Sequence, residues 1–151
     1  MSERIWKPNV TVAALIEDKG RFLLVEEHTS AGLMLNQPAG HLEEGESLVD
    51  ACAREAMEET AHPFVPRELV AIYQWRRPDG EVTYLRFAFS GDAGEQIAGR
   101  ALDDGIVRAI WMTPAEIEAS RDRHRSPLVM ACVRDWLSGV RLPLATVRHF
   151  S

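Results

Sequence analysis

Three carboxylates, Glu55, Glu58 and Glu59, lie within the run Arg54-Glu55-Ala56-Met57-Glu58-Glu59. On a helix turning roughly 100° per residue they share one face. Val49, Ala53, Ala56, Met57 and Thr60 fall on nearly the opposite face, which can bury. Like charges at these spacings repel and raise one another's pKa. Arg54 can pair with Glu58 at i+4 and with Asp50 at i−4, but a single cation leaves most of that charge in place. A divalent metal can balance it, and oxygen-only donors favour hard Mg²⁺ or Mn²⁺ over Zn²⁺. The competing reading is a solvated, charged helix face, the usual fate of such runs.

The residues upstream would position this face. Gly45-Glu46-Ser47 leads into the helix, with Ser47 as N-cap and Asp50 three residues on as a short capping-box partner. Pro38-Ala39-Gly40 is a turn signal. A loop that brings a glycine carbonyl beside an acidic helix face makes a metal cradle.

The stretch from Gly40 to His62 resembles the Nudix box, G-x5-E-x7-R-E-U-x-E-E-x-G-U with U apolar. Gly40, Glu46, Arg54, Glu55, Glu58 and Glu59 fall on the pattern, and Ala56 fills the first apolar position. Ala61 stands where the last glycine belongs, and His62 where an apolar residue belongs. A left-handed helix exit at Ala61 would cost about 1 kcal/mol. The resemblance implies an α/β/α sandwich around a mixed β-sheet and metal-assisted hydrolysis of a diphosphate linkage. It implies that Glu55 and Glu59 bind Mg²⁺, with Glu58 and the Gly40 carbonyl assisting, and that Glu55, Glu58 or one of Asp103 and Asp104 takes a proton from water. Arg54 would orient the carboxylates and Glu46 would fix the loop.

The resemblance runs past the box. LNQPAGHLEEGESL, YQWRRP, LRFAFS, RSPLV and GVRLPL, spread over most of residues 5 to 145, are similar to a phosphatase branch of the Nudix family. That branch implies hydrolysis of nucleoside tri- and diphosphates with release of phosphate, and of the thiamine-pathway pyrimidine pyrophosphate. It makes Asn36, Gln37 and Trp75 candidates for substrate contact.

Charge narrows the ligand. Residues 40 to 60 hold seven acids and one base, so their net −6 equals that of the whole chain. Such a face is a poor partner for a nucleic-acid polymer, which needs a basic patch. A polyphosphate could bind it through metal ions. The 151 residues suit a single domain, 1–151, with a sizeable core, as monomer or homodimer. MSERIWKPN carries no signal-like apolar core, and no apolar run is long enough to span a membrane. Cys52 and Cys132 read as core residues or free thiols, which suits a cytoplasmic setting. The five histidines show no zinc spacing.

Patterning predicts a buried strand over 10–16, a turn at Asp18-Lys19-Gly20 and a return strand over 21–27. His28 to Leu33 reads as a loop, and Met34 to Pro38 as a short extended segment. The box helix spans about 47–60. Strands follow over 68–75 and 82–90, then a polar loop over 91–105 and a strand over 107–112. Thr113 caps a short helix, and Ser126-Pro127 opens a last one. Trp75 beside Arg76 and Arg77 can stack a base, or be a core tryptophan beside a solvated turn. Arg86 shares a strand face with Tyr84 and can bind phosphate if that face lines a cleft. Arg21 is a weaker phosphate candidate at a strand end. Trp6 and Trp111 read as core. A non-catalytic nucleotide sensor and a calcium-binding structural domain are the rival classes. The intact acids disfavour the first, and the lack of a D-x-[DN]-x-[DN]-G loop disfavours the second.

Overall fold

The computed structural model describes residues 3–151. The apolar run NVTVAAL forms β1 (Asn9–Leu15), fully buried from Thr11 onward. Lys19 and Gly20 turn the chain with φ of 51° and 81°. Two consecutive positive φ values suit the tight turn of a right-twisted hairpin. That hairpin is smaller than the sequence suggests. It joins the two-residue β2 (Glu17–Asp18) to β3 (Arg21–Thr29). β1 does not pair with β3; it lies in a different sheet. Both strands are almost continuously apolar, so each needs cover on two faces, which a flat hairpin cannot provide.

The segment expected as a loop at 28–33 is a second hairpin: β3 reaches Thr29 and pairs with β4 (Gly32–Asn36), with Thr29 opposite Gly32. Pro38 bends the chain, but Ala39 and Gly40 belong to a strand rather than a turn. β5 (Ala39–His41) pairs antiparallel with β1, placing Gly40 opposite Val12. Then come α1 (Leu48–Thr60), β6 (Phe64–Arg76), β7 (Thr83–Ala93), β8 (Ile106–Met112), α2 (Pro114–Ala119), α3 (Leu128–Leu137) and the short β9 (Leu142–Pro143). α2 carries the full capping box read from the sequence, between Thr113 and Glu116.

The fold is the expected mixed α/β architecture, with its strands divided between two sheets. One sheet runs β5-β1-β7-β6-β9, with β1 and β7 parallel and the other neighbours antiparallel. The other is antiparallel and joins β2, β4 and β8 to β3. Alternation along β1 divides the interior. Ala13 and Leu15 pack with Phe22, Leu24, Val129 and Val133 on the α3 side. Val12, Ala14 and Ile16 pack with Leu23, Cys52 and Ala56 on the α1 side. Both cysteines are free and buried, as expected. Trp111 packs against the α1-side core, but Trp6 does not join the interior: it is 66% exposed. Trp6 precedes the first strand, so no strand pairing draws it inward.

Candidate functional site

Ser47 caps α1, its Oγ accepting the Asp50 amide at 3.0 Å. The buried stripe of α1 is rotated from the expected one. Ala51, Cys52, Ala56 and Thr60 are buried, and so are Glu55 and Glu59, while Val49, Ala53 and Met57 are only half-buried. The acids therefore lie in a seam between α1 and its neighbours instead of facing open water.

Arg54 is the hub of that seam. Its Nη1 donates to Glu55 Oε1 at 2.9 Å and to Glu58 Oε2 at 3.2 Å. Its Nε and Nη2 grip Glu46 at 3.1 and 2.7 Å, and Nη2 also donates to the His41 carbonyl at 3.0 Å. The expected Arg54–Asp50 pair is absent among the described residues; Asp50 points to solvent and Glu46 takes the guanidinium. Glu46 reaches back to accept the Glu43 amide at 2.8 Å, which fixes the entry loop as anticipated. Its hydrogen bonds to Arg54 hold its carboxyl below the usual range.

Gly40 lies hard against this cluster. A β-carbon there would fall 2.1 Å from Glu55 Oε1. Burial raises the Glu55 carboxyl above its ordinary value. Glu59 accepts the Ala39 amide at 2.9 Å, tying α1 to β5. Burial pushes its carboxyl up to about 8, and the charges of Glu55, Glu27 and Asp103 add to the effect.

Asp103 arrives from the segment between β7 and β8. Its amide donates to the Glu58 carbonyl at 3.0 Å, docking the loop on α1. Carboxylate oxygens of Glu55, Glu58 and Asp103 then lie within 4.8 Å of one another. Asp104 is exposed and stands outside that group. Converging carboxylates beside a glycine with no space for a side chain suit a hard divalent cation. These residues fit such an ion.

A cleft of about 1120 Å³ opens beside β5, slightly larger than ordinary ligand pockets. Gly40, Asn36, Trp75 and Arg86 line it. Trp75 is half-buried and stacks on Tyr84, ring planes 14° apart and centroids at 5.9 Å. It is not a core tryptophan, and its place in the cleft leaves the base-stacking reading open. Arg86 is buried; its Nη2 donates to Asn36 Oδ1 at 3.0 Å and its Nη1 to Gln37 Oε1 at 2.9 Å. Gln37 is fully buried and spends its amide nitrogen on the Val129 carbonyl at 2.7 Å. It is therefore a brace for Arg86 and α3, and it is not among the cleft-lining residues. Arg21 is exposed at the far end of β3, roughly 20 Å along the strand from the cleft-lining Glu27. It does not belong to the site.

Glu27 was missed in the sequence. It follows Glu26 at the end of an apolar strand, and its carboxylate pairs with Arg125 at 2.8 Å beside the cleft. Two adjacent acids at a strand end were the available signal. Only alternation distinguishes Glu27 at the cleft from Glu26, which Arg108 and Arg123 neutralise elsewhere.

A NUDIX domain family model matches residues 6–132. The chain belongs to the Nudix family. It is 38% identical over 147 residues to the phosphatase NudJ of Escherichia coli (strain K12), covering 97% of this chain and 95% of that protein. The structure of a Nudix hydrolase from Nitrosomonas europaea superposes with a TM-score of 0.93 at 50% identity, covering 95% of this chain and 98% of that one. A MutT protein from Methanosarcina mazei Go1 shares the fold at 24% identity and a TM-score of 0.72, covering 90% and 99%. This chain is thus a Nudix hydrolase of phosphorus anhydrides, similar to NudJ. Membership in the family puts the calcium-module reading aside, and the similarity to a phosphatase over nearly the whole chain favours hydrolysis over a non-catalytic sensor. No described helix of this Nudix domain is long and apolar enough to cross a membrane.

Proposed function

We propose that this Nudix hydrolase removes the terminal phosphate from nucleoside tri- and diphosphates and from small organic pyrophosphates such as the thiamine-precursor pyrimidine pyrophosphate, with Mg²⁺ as its ion and Mn²⁺ able to replace it. The observation that carries the hydrolytic half is the convergence of Glu55, Glu58 and Asp103 beside Gly40. The substrate half rests on the cleft and on the similarity to NudJ over nearly the whole chain.

Glu55, Glu58, Glu59 and the Gly40 carbonyl would hold the ion, with Asp103 completing the set. A bound divalent ion supplies charge neutralisation at the phosphate oxygens and a more acidic water. Glu58 or Asp103, the less buried acids of the cluster, accepts the proton of the attacking water. Water oxygen joins the terminal phosphorus, the anhydride P–O bond breaks, and the remaining phosphate leaves with the organic part. Arg54 sets the angle of Glu55 and Glu58, and Glu46 fixes Arg54. Trp75, Asn36 and Arg86 face the organic part in the cleft.

The test is product analysis with Mg²⁺ on nucleoside tri- and diphosphates, pyrimidine pyrophosphate, dinucleoside polyphosphates and nucleotide sugars. Orthophosphate release from the first three supports the proposal. Pyrophosphate plus a monophosphate would make the enzyme a pyrophosphohydrolase instead.

A further inference from the structure

Five arginines line the cleft, and four of them already pair with carboxylates, Arg121 and Arg134 sharing a single one. Arg77 pairs with Asp79, Arg125 with Glu27, and Arg121 and Arg134 with Glu118. Arg86 differs. It is 6% exposed, and its acceptors among the described residues are the two side-chain amides of Asn36 and Gln37 and the Cys132 sulfur at 3.8 Å. Burial keeps that thiol protonated, so it supplies no counter-charge. A buried cation with only neutral partners is costly unless an anion completes it. The same geometry keeps its fork rigid, since Asn36 and Gln37 orient it and Gln37 is anchored to α3.

Its place in the sheet says which anion. Arg86, Thr11 and His41 form one register row across β7, β1 and β5, so Arg86 lies two strand spacings, roughly 10 Å, from the residue next to Gly40. Its partner Asn36 lines the same cleft as Gly40, four residues on. On the other side Tyr84 precedes Arg86 by two residues on the same strand face and stacks on Trp75. The order is therefore aromatic platform, buried cation, acidic cluster.

We infer that Arg86 is the seat of the phosphate that is not hydrolysed. This rests on the proposed phosphatase reading and adds a polarity to it: the ring of the substrate lies toward Trp75 and Tyr84, its retained phosphate sits on Arg86, and the departing phosphate reaches the acidic cluster. The substrate class is then an aromatic ring bearing at least two phosphates in series. The nucleoside monophosphate left after one cleavage of a diphosphate keeps its grip on Arg86 without any metal ion.

The test uses AMP and adenosine as probes of the full chain in EDTA, read by tryptophan fluorescence and calorimetry. AMP should bind at least about tenfold more tightly than adenosine, as expected when a phosphate meets a buried guanidinium. Asn36→Asp gives Arg86 an internal counter-ion in place of a neutral acceptor. It should keep or raise the melting temperature while erasing the AMP preference. Arg86→Gln should erase it too, and the double variant should be no worse than either single one, because both act on the same charge. AMP affinity unchanged in folded Asn36→Asp, or additive losses in the double variant, would overturn the assignment. Failure of the wild type to hydrolyse any diphosphate would sink the phosphatase reading while leaving AMP binding in EDTA to be judged separately.

Discussion

Gly40 and Glu55 touch so closely that a β-carbon on Gly40 would fall 2.1 Å from Oε1 and 2.2 Å from Cδ of the carboxylate. Arg54 holds that same oxygen at 2.9 Å, so the carboxylate can move away from Gly40 only by giving up that hydrogen bond. Gly40→Ala is therefore expected to rotate Glu55 out of the cluster without unfolding the chain. Mn²⁺ titration should show roughly ten- to hundredfold weaker binding, the range seen when groups that orient ligands are disturbed. Wild-type affinity would mean that Glu55 is not needed for the ion.

Glu59 couples the site to pH. Its carboxyl sits at about 8 in the folded chain against an ordinary 4.5. The folded state therefore binds a proton that the unfolded state releases. In EDTA, Glu59 adds no penalty below about pH 4.5, and stability falls as pH rises through about 8, a loss worth several kcal/mol at full ionisation. Glu59→Gln should flatten that slope in urea unfolding curves between pH 5 and about 9. It should also keep the fold and lose most turnover; near-normal turnover at saturating Mg²⁺ would remove Glu59 from the proposed metal site.

Arg54 serves four acceptors besides the proximity of Glu43, and a lysine cannot reproduce its fork. Arg54→Lys leaves Glu46 and the Glu55–Glu58 pair competing for one ammonium. The expected result is a stability loss of about 1–3 kcal/mol in urea titration, and a fall in kcat of roughly tenfold or more. A variant with full kcat would show that the angle of Glu55 and Glu58 is set without Arg54.

Ala61 leaves α1 with φ 60° and donates its amide to the Met57 carbonyl at 2.9 Å. An alanine in this region costs about 1–2 kcal/mol over glycine. The methyl is 1% exposed and recovers about 0.8 kcal/mol by burial. The two effects nearly cancel, which explains how the chain accommodates alanine at this step of the box. Ala61→Gly should move the melting temperature by no more than about 4 °C in a domain of this size; a larger rise would mean that the methyl contributes nothing.

The local rules and the long-range ones were legible to different degrees. Ser47, Thr113 and the box spacing could be read directly, because capping and helical periodicity act within a turn or two. The split into two sheets could not. β1 and β3 are both apolar runs flanking a turn, and nothing local says that the chain switches sheets at Ile16. The site divides the same way. Arg54, Glu55, Glu58 and Glu59 are fixed by one helix, whereas choosing Asp103 over Asp104 depends on an amide docked on the Glu58 carbonyl. The family resemblance points to Gln37 as a substrate contact, and nothing local shows that it is held instead by Val129, 92 residues away. The buried stripe of α1 is masked in the sequence because two of its members are acids.

The alternation along β1 assigns jobs by parity. Thr11 faces the cleft, whereas Val12 and Ala14 support the helix that carries the acids. The register row through Arg86 belongs to the first set and the row through Gly40 borders the second. Substitution at Thr11 can retune which molecule is admitted while Val12 and Ala14 keep the hydrolytic apparatus in place. A single strand thereby separates the choice of substrate from the cutting of it, and lets the two diverge at different rates.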